Sequence, residues 1–128
     1  MKPRASTVAK STGKPVALAP VEVFQILLTH EAKEQYARLQ TDKGLEKRYK
    51  AVQKTIHFLK RNPRHPGLQT HKFTSLKGPK GEEVFESYAE QNTPAAYRIF
   101  WYYGPEQNQI TVIAITSQHQ MPRALPVD

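Results

Sequence analysis

Apolar positions along this chain follow a helical period before Pro63 and a strand period after Pro66. Leu45, Tyr49, Val52, Ile56 and Leu59 recur at steps of four and three, which places them on one face of a helix. Lys47, Lys50, Lys54 and Lys60 fall off that face, and Asn62-Pro63 stops the helix because proline disfavours helical geometry in the residue before it. A shorter helix precedes it, with Ala32, Tyr36 and Leu39 as its stripe. Thr29 is placed to cap this helix, and Glu31 and Glu34 sit near its positive end. Thr41-Asp42-Lys43-Gly44 is the break between the two, short enough to predict an antiparallel helix pair. Upstream, Glu22 to Leu28 predicts a first strand.

Beyond Pro66-Gly67 the pattern predicts strands over Leu68–Leu76, Glu83–Ala89, Ala96–Tyr102 and Ile110–Thr116, with turns at Lys77–Gly81, Glu90–Pro94 and Gly104–Gln109. The expected class is α+β. An N-terminal strand and a two-helix antiparallel hairpin lead into a four-stranded antiparallel region, in the order β-α-α-β-β-β-β. One antiparallel sheet backed by two helices follows. Residues 1–20 read as a basic arm without apolar period, 21–120 as the domain and 121–128 as a tail.

Charge changes this picture. The 128 residues carry a net +8, unevenly placed. Between Lys43 and Lys80 lie Lys43, Lys47, Arg48, Lys50, Lys54, Lys60, Arg61, Arg64, Lys72, Lys77 and Lys80, opposed only by Glu46. Residues 81–128 are acidic on balance. Such asymmetry favours a polyanion on one surface. The chain has no cysteine, which excludes disulfides, thiolate zinc and thiol nucleophiles and fits a reducing cytoplasm. No apolar run reaches the roughly 20 residues that span a bilayer, so no membrane association is expected. His30, His57, His65, His71 and His119 show no paired ligand spacing; neither a metal site nor a small-molecule cofactor is expected.

Arg98 is the odd residue of the strand Ala96–Tyr102, since an unpaired ion in a dry interior is very costly. Two readings stand: it faces an open cleft where its planar guanidinium could hold two phosphate oxygens, or it pairs across the sheet, with Glu86 as the candidate. His119, just beyond the last strand, suits proton transfer, or else it is an ordinary tail histidine. Tyr102 shares the face of Arg98 and is the candidate for stacking on a base, whereas Trp101 belongs to the core.

Asn62-Pro63-Arg64-His65-Pro66-Gly67-Leu68, Tyr97-Arg98-Ile99, and Ile113-Ala114-Ile115 followed by His119 together resemble the RelE/ParE superfamily of bacterial toxins. The likeness covers about Glu22 to His119 and is nearest the RelE/YoeB-like branch. It implies a metal-independent endoribonuclease that cuts messenger RNA at the ribosome and is inhibited by a cognate antitoxin protein. Arg98 and His119 would then be catalytic. His71 and Lys72 occupy the strand where RelE-like members carry basic residues; only one of the two can line the cleft, and Lys72 is preferred. Glu86 is the candidate carboxylate base, or a surface glutamate pairing across strands. Lys47, Lys50, Lys54, Arg61, Arg64, His71, Lys77 and Lys80, with Tyr102, would contact RNA. Gln120 stands where YoeB-like toxins carry a tyrosine. Two other functions remain open: a non-catalytic nucleic-acid or protein-binding module of the same fold, and a ParE-like inhibitor of DNA gyrase.

Overall fold

A computed structural model describes residues 23–91 and 95–121. The basic arm, Glu22 and the segment after Met121 lie outside the described residues. Strand β1 (Gln25–Leu28) leads into helix α1 (His30–Thr41), a short 3-10 turn, and helix α2 (Glu46–Arg61). Strands β2 (His71–Lys77), β3 (Glu83–Tyr88), β4 (Tyr97–Tyr103) and β5 (Gln109–Ser117) follow, and a 3-10 turn, Gln118–Gln120, ends the described chain. The sheet order is β1-β5-β4-β3-β2.

The order of elements is the one expected, but the sheet is mixed. β1 lies parallel to β5, Gln25 opposite Gln109 and Leu28 opposite Val112, while the other pairs are antiparallel. The three antiparallel pairings make β2 and β5 run oppositely, so β1, parallel to β5, runs opposite to β2. The helix pair carries the chain across one face of the sheet, so β1 and β2 end on opposite edges.

Because β1 stops opposite Val112, the outer edge of β5 beyond that point lacks strand partners, and exposed edge groups must be served otherwise. Helix α1 serves them. Thr29 Oγ1 donates to the carbonyl of Ile113 at 3.2 Å, and Gln35 Oε1 accepts from the amide of Ile115 at 2.6 Å. Thr29 also caps α1 as expected, accepting from the amide of Ala32.

Ala32, Leu39, Val52 and Leu59 seal the helices onto Ile99 and Trp101. Alternate residues of the same strands fill a second core on the other face, where Phe100, Val84, Leu76 and Ile113 are buried with Phe73 and Met121 against them. Tyr102 belongs to that second core at 7% exposed, so its ring is not offered to a base as expected. Trp101 is core, as its pattern implied.

The second predicted strand starts late. Pro66–Leu68 forms a 3-10 turn, His65 Nδ1 accepts from the amide of Gly67, and Gln69 takes a left-handed backbone (φ 50°) before β2 begins at His71. A buried relay fixes this segment: Trp101 Nε1 donates to Ser87 Oγ (2.9 Å), Ser87 Oγ lies 2.7 Å from Thr70 Oγ1, and Thr70 donates to the carbonyl of Pro63 (2.9 Å). Each hydroxyl both gives and receives, so the chain ends on a carbonyl with no donor left over.

Candidate functional site

The register of β2, β3 and β4 brings together charged residues that the chain keeps apart. His71 stands directly opposite Glu86, and Arg98 opposite Tyr88, so Glu86 and Arg98 are diagonal neighbours on the face turned away from the helices. His71 Nε2 lies 2.7 Å from Glu86 Oε1, and Arg98 Nε lies 3.1 Å from Glu86 Oε2. The second contact is an ion pair by distance without the alignment of a hydrogen bond. The Arg98 guanidinium also sits 4.6 Å above the ring of Tyr88, whose other neighbour is the edge of His71 at 5.6 Å.

Exposure assigns unequal positions within this group. Arg98 is 3% exposed and Glu86 1%, whereas the His71 side chain is 47% exposed. Arg98 therefore does not open onto a cleft; the cross-sheet pairing is the reading realised. Glu86 is likewise not a surface glutamate. A buried carboxylate between two potential cations lowers the cost each ion would carry alone. His71 is the part of the group that meets solvent.

The ring of His71 is held at both ends, since Nδ1 lies 2.9 Å from the carbonyl of Gln69. A carbonyl only accepts, so Nδ1 carries hydrogen there. The short Nε2–Oε1 contact then needs a second proton, on the ring or on the carboxyl. Both ring nitrogens are thus engaged within the protein, so a proton reaches an incoming oxygen only when the contact to Glu86 opens.

The preference for Lys72 is reversed by the pairing. Lys72 stands opposite Phe85, which stacks on Trp101 on the helix side, while its neighbour His71 takes the other face. His119 is exposed in the terminal 3-10 turn, beyond the strand that pairs with β4. Gln120 comes nearer: its Oε1 accepts from Thr116 Oγ1, and Thr116 is the direct cross-strand partner of Arg98.

The basic residues divide into separate groups. Lys47, Lys50 and Lys54 line one exposed face of α2, with Lys50 3.6 Å from Glu46. Arg61 is exposed at the end of that helix, and Arg64 lies 5.6 Å above the ring of Phe85. Lys77 pairs with Glu83 at 3.2 Å, and Lys80 is exposed in the following turn. That turn lies about 20 Å along the hairpin from His71, so these two lysines are not neighbours of the charged group.

Sequence reasoning missed Tyr88, and it missed the clasp in which Arg48 Nε contacts both oxygens of Glu90 at 3.1 and 3.2 Å. The Arg48 guanidinium covers the Tyr97 ring at 4.2 Å. Glu90 also accepts from the amide of Tyr97. The signal for Tyr88 was the face shared by alternate strand residues, which needs a register, and Arg48–Glu90 joins a helix to a residue 42 positions on. Among the described residues no three His, Asp or Glu side chains converge as a metal site, and no helix is long and apolar enough to cross a membrane.

A five-stranded mixed sheet with one parallel edge strand and a helix pair on one face is the fold of the RelE, YoeB and ParE toxins. The YoeB/ParE toxin from Agrobacterium tumefaciens superposes with a TM-score of 0.55 at 13% identity, over 73% of this chain and 98% of that one. The YoeB dimer from Staphylococcus aureus gives 0.51 at 13% identity over 74% and 97%, and the archaeal RelE–RelB complex from Pyrococcus horikoshii gives 0.51 at 10% over 77% and 99%. By sequence the chain matches no protein-family model and no curated protein.

Proposed function

We propose that this chain is a toxin of the RelE/YoeB type, a metal-independent endoribonuclease acting on messenger RNA at the ribosome, with His71 as its reactive front. The observation that carries the reading is the His71–Glu86–Arg98 group: a solvent-facing imidazole on a carboxylate that is itself held by a guanidinium. In this reading the RNA 2′-oxygen bonds to phosphorus and the bond to the 5′-oxygen breaks. Once its contact to Glu86 opens, His71 Nε2 delivers its proton to that departing oxygen, and the 2′-hydroxyl proton leaves to water. Glu86 and Arg98 are positioning residues that orient the ring and keep the face cationic, where charge accumulates on phosphorus. A placed acid of this kind contributes about 10²–10⁴ in rate. His119 stays a candidate for a second proton transfer, through a movement of the terminal turn.

A cognate antitoxin is the protein partner in this reading, as RelB is for the P. horikoshii protein, and the cytoplasm is the compartment. The test is expression of His71→Ala and Glu86→Gln variants with mapping of messenger RNA ends in a translating extract. Growth arrest and new ends should vanish with His71→Ala while the far-UV spectrum stays native. Undiminished cleavage by His71→Ala would remove His71 from the chemistry. The burial of Arg98 favours one other reading, a binding module without catalysis. That reading predicts growth arrest without new messenger RNA ends, and a supercoiling assay recognises a gyrase inhibitor among such modules.

A further inference from the structure

Two recesses run side by side along α2, on the helix side of the molecule. One, of about 610 Å³, is walled by Lys47, Arg48 and the Glu90 clasp; the other, of about 540 Å³, by Lys50, Lys54, Phe58, His65 and Tyr88. They share Ala51 and Ala89, so they form one groove. Both volumes fall within the roughly 300–1,000 Å³ of small-ligand sites. The helix builds this wall by its period: Lys47, Lys50 and Lys54 are spaced i, i+3, i+7, and Ala51 between them is small enough to leave the floor deep. From Lys47 to Lys54 the cations advance about 10 Å along the helix.

What lies among these cations identifies the ligand. Phe58 and His65 stack at 4.7 Å between centroids, with the Lys54 ammonium 6.0 Å from the Phe58 ring. An acidic peptide needs cations alone. Cations alternating with ring faces fit a single-stranded nucleic acid, whose phosphates take the charge and whose unpaired bases stack. Tyr88 borders the second recess, while its ring lies on the opposite face of the sheet, under Arg98 and beside His71.

We infer that the α2 groove is a nucleobase-stacking subsite: a single strand lies with its backbone on Lys47, Lys50 and Lys54 and seats a base against Phe58 and His65. This rests on the nucleic-acid reading above, but it assigns the strand to the helix side rather than to the sheet face alone.

Oligothymidylate of about 12 nucleotides is the probe, within the usual 4–16-nucleotide site sizes. It has no 2′-hydroxyl, so fluorescence anisotropy reads binding even if the chain cleaves RNA. Lys47→Glu/Lys54→Glu should weaken binding about tenfold or more and lower the log–log salt slope by about 1.4, two contacts at about 0.7 each. Phe58→Leu, which keeps an apolar side chain and loses the ring, should weaken it by about fivefold to a hundredfold with the slope unchanged. Unaltered binding by either variant overturns the subsite, as does equal affinity for a duplex of the same length or for oligoglutamate. Normal groove binding with undiminished RNA cleavage by His71→Ala would fail the catalytic reading and spare the groove. Groove variants that bind normally while His71→Ala is inactive would do the reverse.

Discussion

Removing either partner of the Glu86–Arg98 pair should cost far more than removing both. At 3.1 Å, with an effective dielectric of about 20, the two charges attract by about 5 kcal/mol before desolvation is counted. Glu86→Leu leaves the guanidinium of Arg98 in a site 3% exposed without that carboxylate, and Arg98→Met leaves a carboxylate 1% exposed with His71 as its remaining cation. Breaking a buried pair from one side typically costs about 3–5 kcal/mol, whereas replacing both ions by apolar residues of similar volume is often neutral. Each single variant should therefore lose about 3 kcal/mol, a large part of the roughly 5–15 kcal/mol that holds such a domain. The double variant should lose about 1 kcal/mol or less, so the coupling should reach about 5 kcal/mol. Urea unfolding followed by circular dichroism measures all four proteins, with the slope checked for constancy. Coupling below about 0.5 kcal/mol, with two small single losses, would refute the idea that the ions sit in a dry site and depend on each other.

Ser87→Ala cuts the relay at its middle and leaves the Trp101 N–H buried without an acceptor, which should cost about 1–3 kcal/mol in the same assay. Thr29→Ala removes both the cap of α1 and the donor to Ile113, with an expected loss of about 1–2 kcal/mol. Burial first, and then the hydrogen bond and charge of Tyr49, push the Tyr36 phenol up to about 12. Folding thus favours the neutral phenol, and the stability linked to it is complete below the ordinary value of about 10 and lost as pH rises toward 12. Burial also pushes the Tyr103 phenol up, against the lowering charge of Arg64, so phenolate absorbance against pH should show a late phase that loses one tyrosine in Tyr36→Phe; an unchanged late phase would refute that assignment.

Local chemistry already present in the chain determined the helices. The apolar face of α2, the Thr29 cap and the Asn62-Pro63 stop depend only on residues a few positions apart, and they lie where the pattern put them. The order of strands was also legible. The parallel pairing of β1 and β5 departs from the antiparallel sheet that the pattern predicted, and no residue in either strand marked it. Their adjacency was not implied, because that depends on which edge the helix pair delivers the chain to.

The candidate site divides along the same line. The sequence marked Arg98 as a charge out of place, and it offered Glu86 as a partner. It preferred Lys72 to His71 and so missed the pairing, because consecutive strand residues face opposite sides and a shift of one position exchanges them. Only the pairing of His71 with Glu86 decided which side chain joins the ion pair, and only packing on both faces of β4 decided that Arg98 and Tyr102 are buried. A strand's own residues set its alternation; what lies above and below it is supplied by chain many residues away, and that is where charge meets either water or a carboxylate.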